Sequence, residues 1–533
     1  MEEIDVNKVA FFLGFGPGDN LSIHGIGRLI AFILKENEKK NDRFVLFCPE
    51  WSRESVSLLL KDHKISLNCF EIVTTKKIPF GIKLRNLIAA RRKKVAKESK
   101  TKLFLKKVMS KVKNFGRNLV ANYMSTSSRV LLILKTLLFA LIGILLLPFL
   151  IIAGVIKIIA IAKKRLAKVT KSKLLKKISP VFRRIAGGVY QTLIDEELNN
   201  LVNLINKRKD IDICYIPSMA WPQIKNLKSI KILAAPDIVF YDFPTQYNGV
   251  NLIHRRIRES ISSADQLISY SDYVKEEHLV KMCGVKPEKI KVIKHANIDM
   301  SRYIKVPRSI KTYISQSENA KQVINKYTRL NYHPGDILYN CDFEQLDYVI
   351  YSTQYRSHKN IFNLIKAMKI VNKEMHRNIK LVLTGDIYKQ SYINDYIHLN
   401  HLENDIFVMH NISSELLAAL NKLANCAVNP TLFEGGFPFT FSEAYSVGTP
   451  SIMSGITVVK AEIDDQELEK LMLFNPFNPM SIAQKIVWAV ENSDFLFSKQ
   501  NALYQKFNQR NWGKVVNEYN ELFEKNYNNG TFI

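Results

Sequence analysis

Two glutamates with eight residues between them, Glu434 and Glu443, bracket the glycine pair Gly435-Gly436 in the run from Asn429 to Met453. Carboxylates at this spacing can accept hydrogen bonds from sugar or ribose hydroxyls. The glycines let backbone amides come close to an anion. A second cluster, Arg356 and Lys359, lies in the loop Gln354 to Lys359, just before an apolar helix pattern. Cations at a helix N-terminus oppose its dipole, an arrangement unfavourable by tenths of a kcal/mol, on the order of 0.3–1, unless an anion sits there. Together these groups suit a phosphorylated sugar.

The elements that must position them follow from the pattern. Cys426 to Val428 predicts a buried strand end, Glu434 to Gly436 a loop, and Thr440 the start of a short helix ending near Gly448. Thr440-x-x-Glu443 is also a capping box, so Glu443 has a second reading as a plain helix cap. Tyr348 to Ser352 predicts the strand before the cationic loop, and Ile361, Leu364, Ile365, Met368 and Val371 share one face of the helix after it. Near the start, the strand Val9 to Leu13 feeds a glycine loop containing Gly16, and Leu21 to Leu34 reads as a helix carrying Gly25 and Arg28. Further strands are expected at Phe44 to Cys48, Phe70 to Val73, Ile213 to Ile216 and Ile230 to Ala235. The last of these brings Asp237 to a carboxyl end, where open α/β sheets bind ligands. Asp242 is the alternative there, and an Asx turn is an equal reading of Asp237. Leu381 to Leu383 and Phe407 to His410 continue the alternation.

Pro430-Thr431, Glu434-Gly435, Phe437-Pro438, Glu443-Ala444 and Gly448-Thr449-Pro450 resemble the donor motif of family 4 of the retaining glycosyltransferases. The resemblance implies a GT-B fold, two Rossmann-like doubly wound α/β domains facing a cleft. It implies that Glu434, Gly435, Gly436 and Phe437 lie at the donor hexose and Glu443 at the ribose. Arg356 and Lys359 correspond to the cations that grip the diphosphate, and Gly16 and Gly25 to the glycine-rich first loop and helix. His410 stands where family members touch the base through the backbone, its side chain being read as structural. Two departures matter. The glutamates are one residue further apart than is usual in the family, and Pro236 stands where the family often has a His before Asp237. Ser263 to Ser271, Cys283 to Ile293 and Asn297 to Asp299 resemble the family's exit from its first domain, and Trp512 to Phe523 its terminal helix.

The chain has 533 residues, 47% of them hydrophobic, enough for two domains and an extra element. Its six cysteines are scattered without C-x-x-C spacing, which points to a reducing compartment and away from structural zinc. The acidic, polar start does not resemble a cleavable signal peptide. A formal charge of +28 suggests nucleic acid at first, but its location argues otherwise. Lys76 to Arg184 holds 29 Lys and Arg against one acid, Glu98, so this segment carries the entire excess. Aromatic residues are sparse in the basic runs, unlike a nucleic-acid groove. Within the segment, Thr136 to Ile156 is 21 residues without a charge, interrupted by Pro148. A single span would put strands of one sheet on opposite sides of a bilayer. The expectation is therefore a re-entrant hairpin or interfacial pair, its basic flanks on anionic lipid, with a buried soluble hairpin as the competing reading.

The expected layout is a first domain of residues 1–75 and 185–305, a basic insertion at 76–184 with its hairpin at 136–156, a nucleotide-sugar domain at 306–510 and a terminal helix at 511–533. Residues 300–345 read as polar and irregular. The expected activity is hexosyl transfer from a UDP- or GDP-sugar, with retention, to a lipid-linked or glycan acceptor at the cytoplasmic face of the cell membrane. No cofactor or bound metal is expected, and no nucleic-acid partner. A non-catalytic sugar-nucleotide- or lipid-binding scaffold and a sugar phosphorylase on the same fold are the alternatives.

Overall fold

A computed structural model describes residues 8–23, 25–38, 44–83, 86, 130, 133–137, 173–247, 249–305 and 315–530. It separates into two compact units, residues 1–75 with 198–533, and residues 76–197. In the smaller unit the described residues include a helical stretch at 80–83, where Gly81 faces Leu193. They also include the start of the helix Lys173–Asn206. Most of the basic insertion, and all but the first two residues of the expected hairpin at 136–156, lie outside the described residues. Among the described residues no helix is long and apolar enough to cross a membrane.

The larger unit holds two parallel sheets. The first has seven strands in the order β3-β2-β1-β4-β5-β6-β7: β1 (Lys8–Phe12), β2 (Phe44–Cys48), β3 (Glu71–Thr74), β4 (Ile211–Ile216), β5 (Ile230–Ala234), β6 (Gln266–Ser269) and β7 (Ile290–Val292). The second has six in the order β10-β9-β8-β11-β12-β13: β8 (Tyr348–Tyr351), β9 (Lys380–Leu383), β10 (Ile406–Val408), β11 (Cys426–Asn429), β12 (Ser451–Ser454) and β13 (Leu473–Phe474). Such strands are covered on both faces, so they read as continuous apolar runs. FVLFC of β2 is buried at every position. The strands bracket those read from the sequence to within a residue or two, and the α/β doubly wound expectation holds for both sheets.

Helices supply the cover. α1 (Gly25–Glu36) and α2 (Arg53–Asp62) pack on the first sheet through Leu29, Ile30, Ile33, Val56 and Leu59. The helix read from Leu21 begins instead with a 3₁₀ turn at Leu21–Ile23, and α1 proper starts at Gly25. A Cβ on Gly27 would stand 2.0 Å from the Leu21 carbonyl oxygen, so that turn folds directly against the helix. On the second sheet, α4 (Ile361–Lys369) buries the predicted face of Ile361, Leu364, Ile365 and Met368.

The described part of 300–345 is less irregular than expected. It contains α3 (Gln316–Asn331), which packs with α5 (Ser414–Leu423) through Ala320 and Ile324. Ser315 caps α3 by accepting from the Glu318 amide at 3.1 Å. That Ser-x-x-Glu start signal was legible in the sequence. The sparse apolar face, with Thr328 among its buried positions, hid the rest.

The final helix, α7 (Trp512–Gly530), follows the second domain in sequence but belongs to the core of the first. Its Val515, Val516, Tyr519, Leu522 and Phe523 join Val9, Phe11, Phe44 and Tyr215. Phe523 meets Phe44 and Tyr215 edge-on, at ring separations of 6.4 and 5.9 Å. Because Phe523 is fully buried, Phe523→Ala should lower unfolding free energy by about 3–5 kcal/mol, read by denaturant titration. A loss below about 1 kcal/mol would mean that the helix is not part of the first domain's core.

Candidate active site

The carboxyl ends of the two sheets face each other, and the loops that leave them meet. The β11 loop touches the β5 loop where Gly435 lies against Pro236: a Cβ on Gly435 would stand 2.0 Å from the Pro236 carbonyl oxygen. No side chain fits there. Ser271, just after β6, donates its hydroxyl to the Gly435 carbonyl at 2.8 Å. Gly436 faces Tyr270, and a Cβ on it would lie 3.3 Å from the Tyr270 carbonyl oxygen.

This contact brings four predicted residues together. Lys359 donates to the Glu434 carboxylate at 2.5 Å, with both side chains about one-fifth exposed. Asp237 lies beside them. Burial pushes its carboxyl above the ordinary value, Arg356 and Lys359 pull it down, and Glu434 pushes it further up. Arg356 is exposed in the same loop, and no ion pair engages it among the described residues. The alternative, Asp242, is committed elsewhere: it pairs with the buried His278 at 3.1 Å, and His278 stacks on Phe433.

Glu443 is almost completely buried and paired with Arg28 of α1, across the two domains. The Ser352 hydroxyl donates to its other oxygen at 3.4 Å. The capping-box reading fails, because the short helix α6 (Phe439–Tyr445) begins one residue earlier than expected, with Pro438 as its cap and no side-chain cap bond. Glu443 is thus too far along the helix to return to the first turn, and Thr440 instead accepts from Asn429 at 3.0 Å. Arg28 also lies over the Phe439 ring at 5.6 Å, so it is not a solvated surface cation.

The remaining candidates sit around this centre. Gly16 closes its own turn, its amide donating to Asp19 at 2.7 Å. Gly25 opens α1 with nothing within 4 Å of a Cβ position. The Phe437 ring packs on Phe507 and Phe441 at 4.6 and 5.6 Å, which makes its side chain part of an aromatic cluster. His410 lies at the far end of β10, edge-on to Tyr388 at 5.8 Å.

Two residues that sequence reasoning did not single out join the site. The Tyr247 hydroxyl meets His358 Nδ1 at 2.7 Å, linking the first domain to the cationic loop. Burial, with Lys359 and Arg356 alongside, pushes His358 down to about 3, so it is neutral. Nothing in the spacing of Pro244 to Tyr247 signals this bond.

Residues 342–510 match the model of the family described as glycosyl transferases group 1. Among solved structures the chain is similar to Anabaena HepE in complex with UDP and glucose. That match has 12% identity, 97% of this chain and 99% of that chain covered, and a TM-score of 0.55. The same protein in complex with UDP-glucose matches at 11% identity, 97% and 99% coverage, and a TM-score of 0.54. The N-terminal domain of Candida albicans trehalose-6-phosphate phosphatase matches at 12% identity, 96% and 94% coverage, and a TM-score of 0.51. A sequence search of the curated proteins finds no match. The chain has the GT-B fold, and its second domain matches the group 1 glycosyltransferase model. The group 1 domain contains Arg356, Lys359, His410, Glu434 and Glu443, whereas Gly16, Gly25, Arg28, Asp237 and Tyr247 come from the first domain.

His358 gives the site a pH signature. Its folded pKa lies below the ordinary value near 6.5, so the unfolded chain takes up the proton first as pH falls. Its contribution is complete above about pH 6.5 and is lost progressively as the pH falls toward 3. In that window His358→Gln should flatten the pH dependence of unfolding free energy by about 1.4 kcal/mol per pH unit. Parallel slopes for the two proteins would show that His358 is protonated in the fold.

Proposed function

We propose that this chain transfers a hexose from a UDP-type nucleotide sugar, with retention of configuration, to a lipid-linked or polysaccharide acceptor at a membrane surface. The observation that carries the reading is the meeting of Arg356, Lys359, Glu434 and Asp237 between the carboxyl ends of two facing sheets. Two cations beside two carboxylates can take a diphosphate on one side and sugar hydroxyls on the other. The UDP and UDP-glucose bound in HepE support a uridine donor, and the family resemblance supports retention.

In this reading Lys359 exchanges Glu434 for a diphosphate oxygen, and Glu434 is released to the hexose hydroxyls. Arg356 and Lys359 then meet the negative charge that develops on the leaving diphosphate. They fill the role a divalent ion would otherwise serve, so UDP binding should survive chelation. Asp237, whose carboxyl burial pushes up, lies on the acceptor side. Glu443 is placed for a ribose, with Arg28 as its counter-ion.

Titration calorimetry with UDP tests the exchange. Lys359→Ala should weaken UDP by about 10- to 100-fold, the equivalent of about 1.5–3 kcal/mol for a charged hydrogen bond, with little change in melting temperature. Glu434→Gln frees the cation, so it should leave UDP affinity equal or higher while lowering sugar transfer from UDP-glucose. Unchanged UDP affinity in Lys359→Ala sinks the assignment, and the anomeric signal of the product tests retention.

The membrane context is part of the same proposal and rests on the sequence. The cations of 76–184 would each contribute about 1 kcal/mol next to anionic lipid, a contribution that salt removes. Burial of the uncharged run at 136–156 would not weaken with salt. A protein on the cytoplasmic face, peripheral or monotopic, should stay on membranes through a high-salt wash and leave with detergent. Release by salt alone would rule out insertion of the uncharged run.

A further inference from the structure

A cavity of about 710 Å³ is lined by Asp242, Phe243 and Tyr273 of the first domain and by Leu432, Phe433 and later residues of the second, without Lys359. Its walls include segments that follow the carboxyl ends of five strands. Phe243 follows β5, Tyr273 follows β6, Phe433 follows β11, Thr457 follows β12 and Phe477 follows β13. In the second sheet the order β10-β9-β8-β11-β12-β13 puts the cationic loop at β8 and His410 at β10, whereas this cavity lies at β12 and β13. Glu434, next to Phe433 in the chain, stands between the two regions.

The lining suits a carbohydrate better than a second nucleotide. Phe243, Tyr273 and Phe477 contribute aromatic rings to the lining, and Phe477 is 65% exposed. The ionic side chains of the lining are of both signs: Lys460 pairs with Glu469 at 3.4 Å, and Asp242 is hydrogen-bonded to His278 at 3.1 Å. Lys470 is then the one cation of the lining without an ion pair among the described residues, too little for a diphosphate. Asn475, Thr457 and Ser481 supply uncharged hydrogen-bonding groups. Apolar faces with uncharged polar groups between them match the alternating faces and hydroxyls of sugar rings.

We infer that this cavity is an acceptor subsite for a neutral glycan segment, held beyond the sugar being transferred. The inference rests on the proposed function and names the substrate class of its acceptor side. A glycan seated there runs past Phe433 toward Glu434, so its end reaches the donor hexose while the nucleotide lies toward β9 and β10.

The test uses the full chain with UDP present and a panel of short neutral oligosaccharides built of glucose, galactose, mannose or N-acetylglucosamine. At least one series should bind. Phe477→Ala, which removes an exposed ring, and Thr457→Trp, which fills the cavity from an exposed position, should each weaken it about tenfold or more. UDP affinity, measured on the same preparations, should stay within about twofold. Glycan binding that is absent, or indifferent to both substitutions, while UDP binds normally overturns the subsite and leaves the donor reading intact. Loss of UDP binding by the unaltered chain would instead be the failure of the proposed function.

Discussion

The two domains approach backbone to backbone at the glycine pair Gly435-Gly436, and the chemistry of the cleft depends on that contact. Gly435 lies so close to the Pro236 carbonyl that any side chain there would push the β11 and β5 loops apart. With the loops in contact, Asp237 of the first domain shares its surroundings with Glu434, Lys359 and Arg356 of the second. The contact has support on either side: Ser271 holds the Gly435 carbonyl, and Tyr247 holds His358 below the cationic loop. α7 fixes the arrangement from behind, since it follows the second sheet in sequence and is buried against the first.

Electrostatics then decides which charges remain available. A nearly buried carboxylate such as Glu443 is costly unless paired, and Arg28 supplies the partner from the opposite domain. That pair therefore favours the closed cleft. The Lys359–Glu434 pair is more exposed and so worth less, as the proposed exchange of partners requires. Arg356 needs no such release. Neutral His358 adds no charge beneath the two cations, so their repulsion is not increased by a third.

Much of this was legible in the sequence because parallel sheets write themselves as apolar runs ending in glycine, proline or acidic residues. β2, β8, β11 and the apolar face of α4 follow directly from that pattern. So do the loops bearing Arg356, Lys359, Asp237 and Glu434, since each stands one turn beyond a strand. What the pattern does not encode is long-range pairing. Arg28 and Glu443 are separated by most of the chain, and neither periodicity nor spacing distinguishes a solvated arginine from one meeting a buried carboxylate. Tyr247 and His358 are hidden for the same reason. The reading of Thr440-x-x-Glu443 as a cap failed on a two-residue shift, as Pro438 rather than Thr440 caps α6.

The extra residue between the two glutamates now has a physical account. Counted against the resemblance, the loop contains one glycine too many, which on sequence alone weakens the role of Glu434. In the fold both glycines face the first domain, Gly435 against Pro236 and Gly436 against Tyr270. The added length is taken up by this backbone contact. Glu434, before the glycines, keeps its bond to Lys359, and Glu443, after them, remains within α6 and paired with Arg28. The departure from the usual spacing is therefore better understood as a closer junction between domains than as decay of the donor site.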